Sequence, residues 1–316
     1  MSDRFDCMVC GEICIDLPMR TVDRRLPLEQ METVRIDPIC PGVGGIVSNS
    51  GLVMARLGLR VGAFGYVGDD PWADLVKAAF ENGGLDTSYV LVHPQEATSA
   101  TAVIVGDDAE HSFIYHSGAS RCFDKNTALD HLDLFERTQY ALFGYYHLMP
   151  NMEDDLPEVL KQVQETGCKT ALDTAGGGGN LQPLDRCLPY LDFYIPSYSE
   201  GLSQTGYTDP KEMISAYRNF APNALLGIKL GDKGALLSAD ANHWLDVAPV
   251  TPPGRVVDTT GAGDSFYAGL ITGLCNGLDL NAAAGLASAT GACCVTQVGA
   301  IAGIKTYEET LQMSKI

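Results

Sequence analysis

Charge is scarce in this chain, and positive charge scarcest. Of its 316 residues 19% are charged, with 21 Lys and Arg against 40 Asp and Glu, a formal charge of −19. Without clustered cations the chain offers little to duplex nucleic acid or to anionic membrane surfaces, both of which reward Lys and Arg. A phosphorylated small ligand is not excluded, because helix N-termini, a metal ion or a few placed cations bind one locally. Strongly apolar runs are missing as well. The opening MSDRFDCMVCGEI carries charges where a signal peptide needs an unbroken apolar stretch. The longest uncharged run, Ala282 to Ile304, is rich in Ala, Gly, Ser and Thr and lacks the Leu, Ile and Phe density of a lipid-facing helix. It reads as a buried helix followed by a loop, and the expected location is cytoplasmic. There is no internal repeat, no low-complexity tail and no long linker.

Ten cysteines are present. Cys7, Cys10 and Cys14 have a ligand-like spacing, but no second cluster with zinc spacing follows, and free Cys behaves as a small hydrophobe. Reduced thiols filling a buried first strand are the reading.

With 46% hydrophobic residues the chain has ample core for one large domain or two medium ones. Short apolar strands alternate with amphipathic helices. The strands are Phe5–Ile15, Arg60–Tyr66, Tyr140–Phe143, Thr170–Asp173, Phe193–Ile195 and Leu225–Leu230. The helices are Ser50–Leu57, Trp72–Asn82, Leu156–Thr166, Pro210–Phe220, Ala262–Asn276 and Asn281–Val295. This alternation argues for βαβ units and a mostly parallel sheet covered on both faces. Two regions break it. Leu17–Ile39 is polar without a helical period, and Ser99–Val105 with Ser112–His116 read as antiparallel strands around a turn at Gly106-Asp107-Asp108. Residues 1–316 are expected to form one α/β domain with a small β-sheet lid made by about 17–40 and 97–120.

The strongest local signal is Asp258-Thr259-Thr260-Gly261-Ala262-Gly263-Asp264, opening a long apolar helix. Gly261, Ala262 and Gly263 let backbone N–H groups approach an anion, and the helix aims its positive end at the same spot. A carboxylate at Asp264 is kept ionised there and suits a base that takes a proton from a hydroxyl. An ordinary glycine turn with Asp264 as a capping residue fits the spacing equally well. Pro41 to Asn49, PGVGGIVSN, is a second glycine loop. It is not a dinucleotide fingerprint, because Val47 falls where the third glycine belongs and Arg60–Tyr66 ends without the acidic ribose ligand. What remains is either a tight turn or a loop where backbone nears a small ligand, with Asn49 able to donate and accept. Lys229-Leu230-Gly231-Asp232-Lys233-Gly234 is no P-loop; it reads as a nucleotide-facing loop or a hairpin turn. Gly176–Gly179 reads as a flexible loop without chemistry.

In this order, the motifs resemble the ribokinase-like (PfkB) carbohydrate kinase family over nearly the whole length. Asp258 to Asp264, continuing to Ala268-Gly269, is similar to the family's C-terminal signature. Gly44-Gly45 with Asn49 is similar to the N-terminal one, and Thr296-Gln297-Val298-Gly299-Ala300 follows its ending. The resemblance implies a ribokinase-like three-layer α/β/α sandwich with a mostly parallel central sheet and a β-sheet lid. It also implies transfer of the ATP γ-phosphate to a primary hydroxyl. It assigns Asp264 as base, with Gly261, Ala262 and Gly263 as anion hole. Asp16, Gly44, Gly45 and Asn49 match sugar-binding positions, and Lys229, Gly231 and Gly234 match the nucleotide loop. Ser288 stands near the adenine where ribokinases often have Asn. Mg2+ would be organised through water by Glu200 and Ser197, the latter replacing the Asn of the family's N-x-x-E. Asp258 and Thr260, closed by backbone near Gly299, match ligands of a monovalent cation, K+ in many members.

The departures bear on substrate. Ile46 replaces a Lys of the sugar loop, neither Gly42–Asn49 nor Asp86–Val92 carries Lys or Arg, and no Arg follows Asp173 in Asp173-Thr174-Ala175-Gly176. A small neutral sugar is therefore expected over a sugar phosphate or sugar acid, with Asp16 accepting from two hydroxyls. A nucleoside kinase, with Phe113 or Tyr115 sandwiching a base, and a non-catalytic sugar- or nucleotide-binding regulator are the alternatives. Tyr145 and His147 follow a central strand and either contact the sugar or pack in the core, whereas His111 and His116 are expected to face solvent. The open lid edge suggests a homodimer through the lid.

Overall fold

The computed structural model describes residues 4–20, 22–23, 29, 33–106, 111–175 and 179–315. The Asp107-Asp108 turn, Gly176–Gly178 of the glycine run, and positions 21, 24–28 and 30–32 of the polar stretch lie outside the described residues.

In chain order the elements are β1 (Phe5–Gly11), β2 (Cys14–Arg20), β3 (Gly42–Gly44), α1 (Gly45–Arg56), β4 (Val61–Gly68), α2 (Pro71–Asn82), β5 (Asp86–His93), β6 (Ser99–Val105) and β7 (His111–His116). Then come α3 (Lys125–Leu129), α4 (Leu132–Glu136), β8 (Thr138–Gly144), α5 (Leu156–Glu165), β9 (Lys169–Leu172), α6 (Leu181–Leu184), β10 (Phe193–Tyr194), α7 (Tyr198–Thr205) and α8 (Pro210–Arg218). The last are β11 (Leu225–Lys229), β12 (Ala235–Ser238), β13 (Trp244–Val247), α9 (Ala262–Cys275), α10 (Leu280–Cys294) and α11 (Tyr307–Met313).

Nine strands form one sheet in the order β13-β12-β11-β10-β9-β8-β1-β4-β5, parallel except where β12 runs against both β11 and β13. Its central strands are buried on both faces, so successive residues feed two separate cores. Cys7 and Val9 pack with α1, α2, α9 and α10, whereas Met8 and Cys10 pack with α3, α4, α5 and α8. The same double burial explains why these strands read as unbroken apolar runs. β1 pairs with β4 on one side and β8 on the other. The chain thus reverses its direction of travel across the sheet there, and ligand crevices of open α/β sheets lie beyond the carboxyl ends of strands at such a switch.

A second sheet, β3-β2-β6-β7, is the expected small one. The run Phe5–Ile15 is not one strand, however. β1 ends at Gly11, and Cys14 already pairs with Gly44 and Ser99 of the small sheet. Glu12 and Ile13 are the crossing. Periodicity cannot show that break, because residues on both sides are equally buried. β5 and the edge pair β12–β13 are further strands that the alternation did not suggest.

The expected helices hold to within a few residues, except that Ser50–Leu57 begins five residues earlier, at Gly45. Their ends carry the chemistry that sets them. Asp70 accepts from Ala73 N ahead of Pro71 at the start of α2, and Ser197 and Glu200 form a reciprocal capping box on α7. α10 is the buried helix expected within 282–304, and no helix among the described residues is long and apolar enough to cross a membrane.

Candidate active site

Four strand ends and one helix start converge beyond the carboxyl edge of the large sheet. Asp264 lies in the first turn of α9, which packs on α1. Its Oδ2 accepts hydrogen bonds from Asn49 Nδ2 at 2.8 Å and from Tyr145 OH at 2.6 Å, while Ser50 Oγ donates to its backbone oxygen at 3.2 Å. Oδ1 takes no hydrogen bond among the described residues, and it is not sealed from solvent. Burial, reinforced by the charge of Asp173, raises the Asp264 pKa to about 6, against hydrogen bonds from Tyr145 and Asn49 and the charge of Lys229 that lower it. A carboxylate in that state is suited to accept a proton near neutral pH.

The helix start provides the donors. Gly261, at φ +74°, turns the chain into α9 with no side chain in the way. Ala262 N donates to Thr259 O at 3.2 Å, whereas no protein acceptor among the described residues takes the N–H of Gly263 or Asp264. The open amides at this turn are therefore those of Gly261, Gly263 and Asp264, while that of Ala262 is taken by Thr259.

Behind Gly263 lies Lys229, the end of β11. A Cβ on Gly263 would stand 3.1 Å from its Nζ. The ammonium is 3.1 Å from Asp173 Oδ2 and 5.0 Å above the Tyr267 ring. Burial lowers the pKa of Lys229, but the carboxylates of Asp173, Glu200 and Asp264 outweigh it and raise it. Lys229 is thus the buried counter-ion of three carboxylates, and it also borders the pocket that Gly231 and Gly234 line. The group carries a formal −2. Gly231 and Gly234 sit in the turn between the antiparallel β11 and β12, the hairpin alternative.

That turn still forms one wall of a cleft of about 460 Å³, whose other walls include Val250, Pro252, Phe266 and Ala292. Ser288 lies on the same wall, but its hydroxyl donates to Ala248 O and accepts from Val250 N, so it fixes the loop and offers no free donor. Glu200 Oε2 accepts from Ser197 N and Oε1 from Thr174 Oγ1. Burial raises the Glu200 pKa, yet Lys229 and these donors hold it below the usual range. Asp258 Oδ1 accepts from Thr260 N and Oδ2 from Gly299 N, each at 2.9 Å. His111 Nε2 lies 3.6 Å from the same Oδ1. His111 is therefore folded against the loop before α9 instead of facing solvent as expected; His116 is exposed.

On the lid side, β2 carries Asp16 against Gly44. A Cβ at Gly44 would collide with the Asp16 carboxylate, so only glycine lets the two strands meet there. Burial raises the Asp16 pKa to about 6. Directly paired residues share a sheet face, which places Asp16, Thr101 and Tyr115 on one rung, Pro18, Val103 and Phe113 on the next, and Arg20, Val105 and His111 on a third. Phe113 is 60% exposed on that face. Glu12, at the crossing, was not singled out by the sequence. It is 1% exposed, and neither of its oxygens has a hydrogen bond of normal geometry among the described residues. Burial pushes its pKa to about 8, although the Tyr115 and Ser120 hydroxyls come near enough to oppose the rise. A Glu inside the apolar run FDCMVCGEICI was the available signal. Gly45 packs on Glu12, and Asn49 Nδ2 donates to Asp264 while its Oδ1 takes no hydrogen bond among the described residues.

A family model described as pfkB family carbohydrate kinase matches residues 4–307. A ribokinase of Haemophilus influenzae is 27% identical over 85% of this chain and 86% of its own length. A fructokinase of Escherichia coli is 26% identical over 95% and 96%. The solved structure of Arabidopsis thaliana ribokinase complexed with ribose and ATP superposes with a TM-score of 0.87, at 23% identity and 99% coverage of both chains.

Proposed function

The chain belongs to the pfkB family of carbohydrate kinases, phosphotransferases with an alcohol acceptor, and on that premise we propose that it transfers the γ-phosphate of ATP to a primary hydroxyl of a small neutral sugar. The observation that carries the reading is Asp264. One of its oxygens is held by two donors and the other is open, beside the free N–H groups of Gly263 and Asp264. A sugar hydroxyl at Oδ1 gives its proton to the carboxylate as its oxygen attacks the γ-phosphorus, and the bond from that phosphorus to the β–γ bridging oxygen breaks, releasing ADP. The helix start and its amides then stabilise the charge that develops on the transferred group. The cleft between the β11–β12 turn and α9 receives the nucleotide.

Neutrality of the acceptor follows from what faces it. Asp16 and Asn49 Oδ1 accept from hydroxyls, and Ile46 is fully buried. Arg20 is four residues beyond Asp16 on the lid face, about 13 Å along the strand and out of reach of a small sugar.

ATP brings Mg2+. No three His, Cys, Asp or Glu among the described residues are grouped to hold a metal ion directly, but three carboxylates face the one ammonium of Lys229, an excess of negative charge that suits a hydrated divalent cation. Mg2+ keeps most of its waters and takes few protein ligands, so Glu200 and Ser197 would hold it through water. Its chemistry when bound is to neutralise the phosphate oxygens. Asp258, held ionised by Gly299 N and Thr260 N against burial, would serve with Thr260 a monovalent cation such as K+.

A coupled ADP-release assay with MgATP and K+ over neutral sugars, sugar acids, sugar phosphates and nucleosides tests the reading. Turnover on ribose, fructose or a similar neutral sugar is expected; turnover on nucleosides alone, or on none of the panel, overturns it.

A further inference from the structure

We propose that Tyr145 is a positioning residue for the base, which divides the two oxygens of Asp264 between the protein and the substrate. This rests on the reading of Asp264 as base.

Tyr145 follows β8 directly, and its hydroxyl closes a ring of three side chains drawn from distant parts of the chain. It donates to Asp264 Oδ2 at 2.6 Å, Asn49 Nδ2 donates to that oxygen at 2.8 Å, and Asn49 Nδ2 also donates to the Tyr145 oxygen at 3.2 Å. A carboxylate gripped at one oxygen cannot rotate to exchange its two ends. Oδ2 is fixed inward, and Oδ1 is left as the acceptor for a ligand hydroxyl. The short O–H···O contact has the length of a charge-assisted bond, so it favours the ionised base. Tyr145 therefore does two things: it aims Oδ1, and it opposes the burial that would keep Asp264 protonated. One Asn49 N–H is shared between Asp264 Oδ2 and the Tyr145 oxygen, which lie 2.6 Å apart. The second Asn49 N–H and Oδ1 remain for the sugar, so Asn49 can donate to one hydroxyl and accept from another.

The other groups that bear on Asp264 are Asp173 beyond β9, Lys229 at the end of β11 and Cys294 of α10. None of them donates to Oδ2, so among the described residues Tyr145 and Asn49 supply the orienting bonds.

The test is a ¹³C NMR titration of the aspartate carboxyls in the full-length, sugar-free protein, with Asp264→Asn identifying the resonance. The pH dependence of kcat on ribose or fructose with MgATP is measured in parallel. In Tyr145→Phe the Asp264 transition and the acid limb of kcat both move up by about one pH unit, the size of one charge-assisted hydrogen bond lost. KM changes less than kcat. Incorporating 3-fluorotyrosine at 145, whose phenol is a stronger donor, moves both transitions the other way. Opposite shifts from two near-isosteric changes are not produced by altered packing. An unmoved Asp264 transition in Tyr145→Phe, with Asp264→Asn inactive, overturns the role of Tyr145 and leaves the base in place. An active Asp264→Asn overturns the reading beneath it.

Discussion

On the lid side of the cleft, Glu12, Asp16 and Asp264 are desolvated faster than donors are supplied to them, and burial raises all three pKa values, to about 8, 6 and 6. On the nucleotide side, Asp258 and Glu200 are also buried, yet backbone N–H groups and Lys229 hold both below the usual range, while Asp173, between the two sides, is raised by burial despite its bond to Lys229. The difference separates two uses of a carboxyl group. A satisfied carboxylate holds a loop or helix start in place and stays charged. An under-satisfied one waits for hydrogens from a ligand, and its proton affinity is poised for exchange near neutral pH. The side with unmet acceptors is the side where an alcohol binds.

The sharpest way to break that contrast is Asp264→Asn. The amide keeps the shape but cannot take a proton, so kcat should fall by about 10²- to 10⁴-fold while sugar binding stays largely intact. Steady-state kinetics with calorimetric sugar titration check this, and a near-normal rate would remove Asp264 from the mechanism. Lys229→Met attacks the other side. It strands Asp173 and Glu200 without their counter-ion, and loss of one partner from a buried pair typically costs about 3–5 kcal/mol. Urea unfolding should show that loss; an unchanged midpoint would mean that the three carboxylates are solvated independently of Lys229. Asp16→Asn comes next. It exchanges half of an acceptor for a donor, so KM for the sugar should rise about 10-fold or more, with kcat less affected. A KM within twofold of wild type would place the sugar elsewhere.

Much of this was legible in the sequence because it is local. The helix of Ala262–Cys275 and the glycines ahead of it are punctuated within a dozen residues. What escaped is what depends on contacts across the chain. Asn49 and Asp264 are 215 residues apart, and Lys229 and Asp173 are 56. Nothing near Lys229 says that its amine turns inward beneath Gly263, nor does the sequence around His111 show the approach of Asp258. Which amide of Gly261-Ala262-Gly263 stays open is decided by a turn bond to Thr259 that spacing cannot reveal. Tyr145 was visible as an aromatic after a central strand, but its partner was not.

The pH dependence of stability isolates Glu12, the most buried of the under-satisfied acids. Its pKa stands at about 8 in the folded protein against 4.5 when exposed. Between these values the folded state binds more proton than the unfolded one, so stability falls as pH rises from about 4.5 to about 8 and levels off above. The slope is bounded by about 1.4 kcal/mol per pH unit from a single group. Glu12→Gln removes this proton uptake while keeping the shape. The variant and the wild type should therefore be closest in stability near pH 5, with the variant gaining on the wild type towards pH 9. Urea midpoints measured across that range check the sign. Parallel curves would mean that Glu12 is already charged at neutral pH and finds a donor when the lid moves, and the lid side would then be no less satisfied than the nucleotide side.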